Sequence, residues 1–473
     1  MRPREENASE SRSSRRLRFR GKRPAGPIGW PLIGSAPEIA RTPLGFPERC
    51  FREYGDVVRF RLAGRPPCYF FFHPADVDEV LSVKHRSFHR TSVVRGLFVN
   101  DLFAAEGEAW RKRRRILSGP LAPSEIRTYA ETIVNIADDF VSSFQDAPRT
   151  IDVHRETLAL SLRVVARTLY GFDLETLSER LEKALLELRA LYYPLFLGWQ
   201  SLLPEWLPTR GRKRLTNLMN EVDGIGMDMI AAARRDPGGR CLLARLMAAR
   251  FEDGSAMSER QLCDEALTLI AASYETTGLA LANIMALLAR NPSVLATARE
   301  ELDRVLGDRS LTADDAERLP YLIAIVHEAL RLYPSGPVFG RRAIADVEIG
   351  GIPIRRGEDV WVHLWITQRD ARWFPEPAEF RPERWLDGAR ERLPRGAYLP
   401  FGAGPRSCPG SHFATLELLL CTAAIVKRLD LTSASGNSPD GEVTHGVFLQ
   451  PATPILVHAS MRQSPRSVRA ISS

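Results

Sequence analysis

The sequence predicts a mainly α-helical fold with small β-sheets (α+β), built as a single large domain. Three observations predict it. Helical periodicity runs almost unbroken from Ala75 to about Leu332. Strand signals are confined to short runs on either side of that block. Neither an internal repeat nor a Pro/Gly/Ser-rich linker divides the 473 residues, so the roughly three domains that length alone suggests give way to one.

Taken in order, residues 24–31 (Pro-Ala-Gly-Pro-Ile-Gly-Trp-Pro) form a turn-rich lead-in that cannot be helical. Val57–Leu62 and Cys68–Phe72, separated by Ala63-Gly64-Arg65-Pro66-Pro67, read as a β-hairpin. Within the helical block the clearest element starts at Ser258, which has capping-box spacing to Gln261, and ends at Asn291 before Pro292. Its length is on the order of 50 Å, enough to cross the domain. Strands return at Val347–Ile354, across Gly350-Gly351, and at Asp359–Leu364. An irregular stretch around Pro375, Pro377 and Pro382 precedes a last helix from about Ser411 to Leu429. Thr432–Gly441 is low in complexity and reads as a loop.

Charge is concentrated at the ends. Residues 1–24 hold nine Arg or Lys against three Glu, and residues 461–473 hold three Arg and no acid. The remaining 53 basic and 55 acidic side chains leave residues 25–460 near neutrality, which argues against a nucleic-acid surface. Both ends read as disordered, and residues 25–460 as the domain. No stretch approaches the 18 to 20 uninterrupted apolar residues of a membrane span; Ala266–Ala289 is broken by Glu275 and Asn283. The reading is of a soluble, cytoplasmic monomer without a membrane anchor. None of the six cysteines has CxxC spacing, so zinc and dithiol chemistry are not suggested. His85 and His89 stand four apart but read as basic surface rather than a metal pair.

One cysteine stands out. In Phe401-Gly402-Ala403-Gly404-Pro405-Arg406-Ser407-Cys408-Pro409-Gly410, two glycines and a proline set a tight loop, and Gly410 precedes a helix. Backbone N–H groups and the helix dipole there favour thiolate over thiol. A thiolate shielded by an aromatic ring suits a haem iron.

These ten residues match Phe-x-x-Gly-x-Arg-x-Cys-x-Gly, and the chain from about Pro24 to Pro454 resembles the cytochrome P-450 family, the haem-thiolate monooxygenases. The resemblance implies that fold, with haem b as cofactor and Cys408 as the iron ligand. It also implies a buried charge triad of Glu328, Arg331 and Arg384, carried by Glu328-Ala329-Leu330-Arg331 and Pro382-Glu383-Arg384-Trp385, that locks the haem-side core. Trp110 and Arg114, four apart on one helix, match the family's propionate-contacting pair, joined by Arg406 and by Arg341 or Arg342, with spacing favouring Arg341. Phe401, Ala272 and Gly410 complete the implied cofactor contacts.

Ala272-Ser273-Tyr274-Glu275-Thr276-Thr277 resembles the family's oxygen-activation motif, in which Glu275 supplies protons and the Thr276 hydroxyl holds dioxygen or water. The usual glycine is Ser273 here, whose hydroxyl can bond back to the i−4 carbonyl and bend the helix. The implied reaction inserts one atom of O2 into a lipophilic small molecule, a terpenoid or polyketide-type compound above others, by hydroxylation or epoxidation. No flavin or nicotinamide fingerprint is present, so electrons come from a ferredoxin or flavodoxin with its reductase. Lys112 and Arg115, facing away from Trp110 and Arg114, are expected to form part of its dock. Access loops are expected near Val93–Phe103, Leu185–Pro208 and Gly446–Leu449, with Ser335–Phe339 at the haem edge. A peroxide-driven or isomerising enzyme conflicts with the Glu275–Thr276 pair, and a non-catalytic partner protein with Cys408.

Overall fold

A computed structural model describes residues 23–62, 64–91, 101–171, 207–235, 241–434, 443–445 and 449–463, together with parts of 180–191. The two charged ends and most of the three expected access loops lie outside the described residues.

The centre of the molecule is the helix Glu259–Arg290. Its start is set by a reciprocal capping box: Ser258 Oγ accepts from the Gln261 amide at 3.2 Å, and the Gln261 side chain accepts from the Ser258 amide at 2.9 Å. Both flanking faces are apolar and buried, so it runs through the core rather than over it. The helix Val153–Val165 crosses it at Gly278, where a Cβ would lie 2.9 Å from the Leu158 Cα. Thr157 Oγ1 donates to the Gly278 carbonyl at 2.8 Å across this contact. Only a residue without a side chain permits so close an approach.

On the opposite side pack the helices Pro320–Leu332 and Ser411–Arg428. The first begins at Pro320, and its free amides at Tyr321 and Leu322 both donate to the buried Glu301 carboxylate, each at 2.9 Å. A carboxylate at that end satisfies donors left over by helix geometry and opposes the positive end of the dipole.

Twelve strands are described: β1 (Val57–Phe60), β2 (Cys68–Phe71), β3 (Phe88–Arg90), β4 (Arg149–Asp152), β5 (Val338–Ala343), β6 (Val347–Ile349), β7 (Ile352–Ile354), β8 (Asp359–His363), β9 (Leu429–Ser433), β10 (Val443–His445), β11 (Leu449–Pro451) and β12 (Leu456–Met461). The largest sheet has the order β1-β2-β8-β5-β3, with β2 and β8 parallel and the other pairs antiparallel. The expected hairpins β1–β2 and β6–β7 are present, the latter turning on Gly350 and Gly351 with φ of 53° and 77°. Strands β3 and β4 interrupt the block read as wholly helical, and β5 falls where no strand was expected. Short edge strands that alternate poorly lose their periodic signal, and pairing through tertiary contact decides them. Among the described residues no single helix is long and apolar enough to cross a membrane.

Candidate active site

The loop before Cys408 is shaped by Gly404, which has φ of 68° and whose Cβ would sit 2.2 Å from the Leu81 carbonyl oxygen. Any side chain there would displace the loop from Glu79–Val83. The Cys408 amide donates to the Phe401 carbonyl at 2.8 Å, which folds the aromatic residue back over the sulfur's own turn. Cys408 keeps accessible surface, yet burial pushes its thiol up. The sulfur therefore faces an internal cavity. The Gly410 amide and the Arg114 charge act the other way and are outweighed. The amide acts in the direction expected from the loop, but desolvation of the charge exceeds what one amide and one cation return, and a coordinated metal ion is what deprotonates such a thiol outright.

Alternation along β5 separates its two arginines. Arg342 lies opposite Asp359 of β8, and its guanidinium forms a fork with that buried carboxylate at 2.7 and 2.8 Å. Arg341 therefore points to the other face. There the register of β3 and β5 places Arg90 directly opposite it. Like charges so placed repel: burial with repulsion from Arg341 and Arg406 pushes Arg90 down to about 9, and burial with repulsion from Arg406 pushes Arg341 down to about 10. Among the described residues Arg341 donates only to the neighbouring Gly340 carbonyl, at 3.0 Å.

Arg406 joins this group. It pairs with Glu106, donates to the Ala105 carbonyl at 3.0 Å, and lies over the Trp110 ring, 4.6 Å from its centroid. Glu106 also accepts from the Arg90 amide at 2.8 Å. Three buried cations thus share one close carboxylate, and two positive charges remain over. Arg114, four residues after Trp110, lies close enough to interact with Cys408, and burial lowers its basicity. A cysteine sulfur beside arginines that outnumber their close carboxylate fits haem, whose iron would take the thiolate and whose two propionates would take the charge. Arg90 and Glu106 were not foreseen from sequence, because strand register and cross-loop contacts are not visible there.

Across the core helix, residues 271–273, 275 and 276 have accessible surface, while Tyr274 and Thr277 are buried. One face of the mid-helix is thereby open inside an otherwise packed element. Ser273 Oγ donates to the Leu269 carbonyl, as the sequence suggested. Thr276 Oγ1 donates to the Ala272 carbonyl at 2.8 Å, which leaves its lone pairs to accept a hydrogen bond. Glu275 accepts from the Gln450 side-chain amide. The segment Ser335–Phe339 links this face to the cysteine loop: Ser335 Oγ donates to the Thr276 carbonyl at 2.8 Å, and the Phe339 ring packs at Gly402.

The charged triad is assembled around Glu328. Its two oxygens accept from Arg331 Nε and Nη2 at 2.8 and 2.9 Å, Arg384 Nε at 2.8 Å, Trp385 Nε1 at 2.8 Å and the Arg381 amide at 3.0 Å. Trp385 is a fourth side chain that the motif alone did not predict. The basic surface expected for a redox partner is changed: Arg113 is buried against Glu265 at 2.8 Å, Arg115 pairs with Glu252, and Lys112 lies 3.7 Å from Glu108 and 3.9 Å from Asp253. These charges are largely offset within the chain.

Comparison with known proteins agrees with this geometry. The Cytochrome P-450 family model matches residues 24–459. Cyclooctatin synthase of Streptomyces melanosporofaciens is 34% identical over 411 residues, covering 85% of this chain and 88% of that protein. Pentalenene oxygenase of Streptomyces avermitilis is 30% identical over 420 residues, covering 87% and 91%. Among solved structures, retinoic acid-bound cyanobacterial CYP120A1 superposes with a TM-score of 0.81 at 24% identity, over 93% of this chain and 99% of that one. With a cysteine loop, a cation-rich cavity and near full-length relatives all in agreement, the chain belongs to the cytochrome P-450 family, oxidoreductases that carry a cysteine-ligated haem.

Proposed function

We propose that this enzyme inserts one oxygen atom of O2 into a terpenoid small molecule in the cytoplasm, using electrons from a separate ferredoxin or flavodoxin and its reductase. The balance is one C–H bond, O2, two electrons and two protons giving one C–OH and one water. Haem supplies the redox chemistry of O2 when bound to Cys408. Arg90, Arg341 and Arg406 anchor its propionates, and Arg114 adds positive charge beside the thiolate. Trp110 holds the Arg406 guanidinium by a cation–π contact, while Phe401, Ala272 and Gly410 shape the cofactor's surroundings.

The residues of the core helix manage protons. Glu275 is the acid of the open face, and the Thr276 oxygen accepts a hydrogen bond from water, so that a proton path ends beside the cavity. The glutamate–arginine triad is structural: it ties the helix Pro320–Leu332 to residues 375–385 and so stiffens the haem side of the core. The cysteine loop, whose Arg406 joins Arg90 and Arg341 in one cation group, carries the reading, and terpenoid-oxygenating relatives support the substrate class.

The test is the absorption spectrum of the purified, reduced protein under carbon monoxide. A strongly red-shifted Soret band establishes a thiolate-ligated haem, after which terpenoids are screened for displacement of the iron-bound water. A haem band without the shift removes the thiolate, and with it the monooxygenase reading. Failure of every terpenoid, with binding of fatty acids or polyketides instead, overturns the substrate class alone.

A further inference from the structure

We infer that Gln450 is a positioning residue for the Glu275 carboxylate, and that through it strand β11 governs how efficiently protons reach the reaction. The inference rests on the proton role proposed above for Glu275. Gln450 is 4% exposed and lies 175 residues from its partner in sequence, yet its Nε2 donates to Glu275 Oε1. The residue before it, Leu449, donates its amide to the Ser335 carbonyl at 3.2 Å. Ser335 in turn donates its hydroxyl to the Thr276 carbonyl at 2.8 Å. Strand β11 therefore grips the same two residues of the core helix at two points, the acid of one and the backbone of the next.

The physical consequence follows from the flexibility of a glutamate. Three rotatable bonds let a free carboxylate sample many positions, and proton transfer needs one of them within hydrogen-bond reach of its target. A buried amide on a paired strand is a fixed donor, and it selects one orientation of the acid. Removing that donor takes one constraint off the orientation of the carboxylate without removing the acid. Gln450 is buried with its amide on the carboxylate, and it acts through Glu275.

The experiment uses the holoenzyme with a [2Fe–2S] ferredoxin and its NADPH-dependent reductase, without added substrate. Electrons then leave either as peroxide, O2 with two electrons and two protons, or as two waters, O2 with four electrons and four protons. The NADPH-to-O2 ratio and the peroxide yield give the partition, which depends on proton supply. Gln450→Leu should change the peroxide share by at least about twofold in the same direction as Glu275→Gln, whereas a general acid itself is worth on the order of 10²–10⁴-fold in rate. In the double variant the two effects should not combine, and the partition should equal that of Glu275→Gln alone.

Gln450→Met keeps nearly the same length and loses the donor, so it reads the same contact if leucine disturbs packing. A full-height reduced carbon monoxide band in each variant establishes an intact site. A wild-type partition for both Gln450 variants, or effects that multiply in the double variant, overturns the inference. A wild-type partition for Glu275→Gln overturns instead the proton role on which it rests.

Discussion

Replacing Glu328 by glutamine should cost about 3–5 kcal/mol of stability, although the new side chain has almost the same shape. The carboxylate is fully buried, as is Arg331, and Arg384 is 10% exposed. Oε1 accepts three of the five bonds and Oε2 accepts two, from Arg331 Nε and Trp385 Nε1. A glutamine can keep one oxygen, and its NH2 must then face donors. If the oxygen takes the three-bond side, two charge-rich contacts are lost, at about 1.5–3 kcal/mol for a bond to a charged group. The arginines also lose their counter-charge, and breaking a buried pair from one side costs about 3–5 kcal/mol. Both routes give the same range, and about 4 kcal/mol is roughly a thousandfold in the folded-to-unfolded ratio. Urea unfolding followed by far-ultraviolet circular dichroism measures the loss, with exposed Glu348→Gln as a control expected to stay within about 0.5 kcal/mol. A loss below about 1 kcal/mol would show that the network is not held by charge, and the reasoning would fail.

Cys408→Ser should eliminate the red-shifted carbon monoxide band and reduce oxygenation to background, with the band read on the same preparation as the haem content. Arg341→Gln should weaken haem retention by roughly tenfold on the basis of one charge-assisted contact, measured by transfer of haem to apomyoglobin; unchanged transfer would remove Arg341 from the anchoring set. Glu417 is 1% exposed, accepts from Ser161 at 2.6 Å through one oxygen, and is pushed up to about 8 by burial. A carboxyl raised in the folded state costs stability as pH climbs from its unfolded value near 4.3 through about 8, at about 1.4 kcal/mol per pH unit. Glu417→Gln should flatten that part of the stability profile and leave the mutant the more stable protein above pH 8, which urea titrations from pH 5 to 9 would check.

The elements that sequence exposed best were those fixed by local chemistry. Ser258 and Gln261 announced the core helix because a capping box is a contact between neighbours. Gly350-Gly351 announced the β6–β7 hairpin because the turn needs positive φ. The cysteine loop was legible for the same reason, with Gly404 needed for both its φ and its close approach to Leu81. What stayed hidden depends on register or long range. Arg90 belongs beside Arg341 only because β3 pairs with β5 in one register. Glu106 and Gln450 each reach a motif residue from a segment with no motif of its own, and Trp385 adds a bond to Glu328 that the spacing of its motif does not announce. Lys112 and Arg115 looked free because Glu252 and Asp253 lie more than a hundred residues away in sequence.

Serine at position 273 is the clearest departure from the family's pattern, and the structure shows why it is tolerated. The mid-helix carbonyls have other donors to turn to. Ser273 Oγ donates to the Leu269 carbonyl and lies 3.3 Å from that of Ile270, while Thr276 Oγ1 donates to Ala272 and lies 3.4 Å from the Ser273 carbonyl. Just beyond, Ser335 supplies a hydroxyl to the Thr276 carbonyl from outside the helix. The helix stays continuous through this point, and the hydroxyls that back-bond to i−4 share carbonyls with its ladder and favour a bend. A glycine would loosen the same turn by lacking a side chain. Serine reaches a comparable result by solvating the turn from within, and its Cβ is accommodated because residues 271–273 line the open face rather than a packed one. The substitution and the accessible face are therefore compatible, and Glu275 and Thr276, the pair proposed to handle protons, are held by their own helix, by Ser335 at the Thr276 carbonyl and by Gln450 of strand β11 at the Glu275 carboxylate.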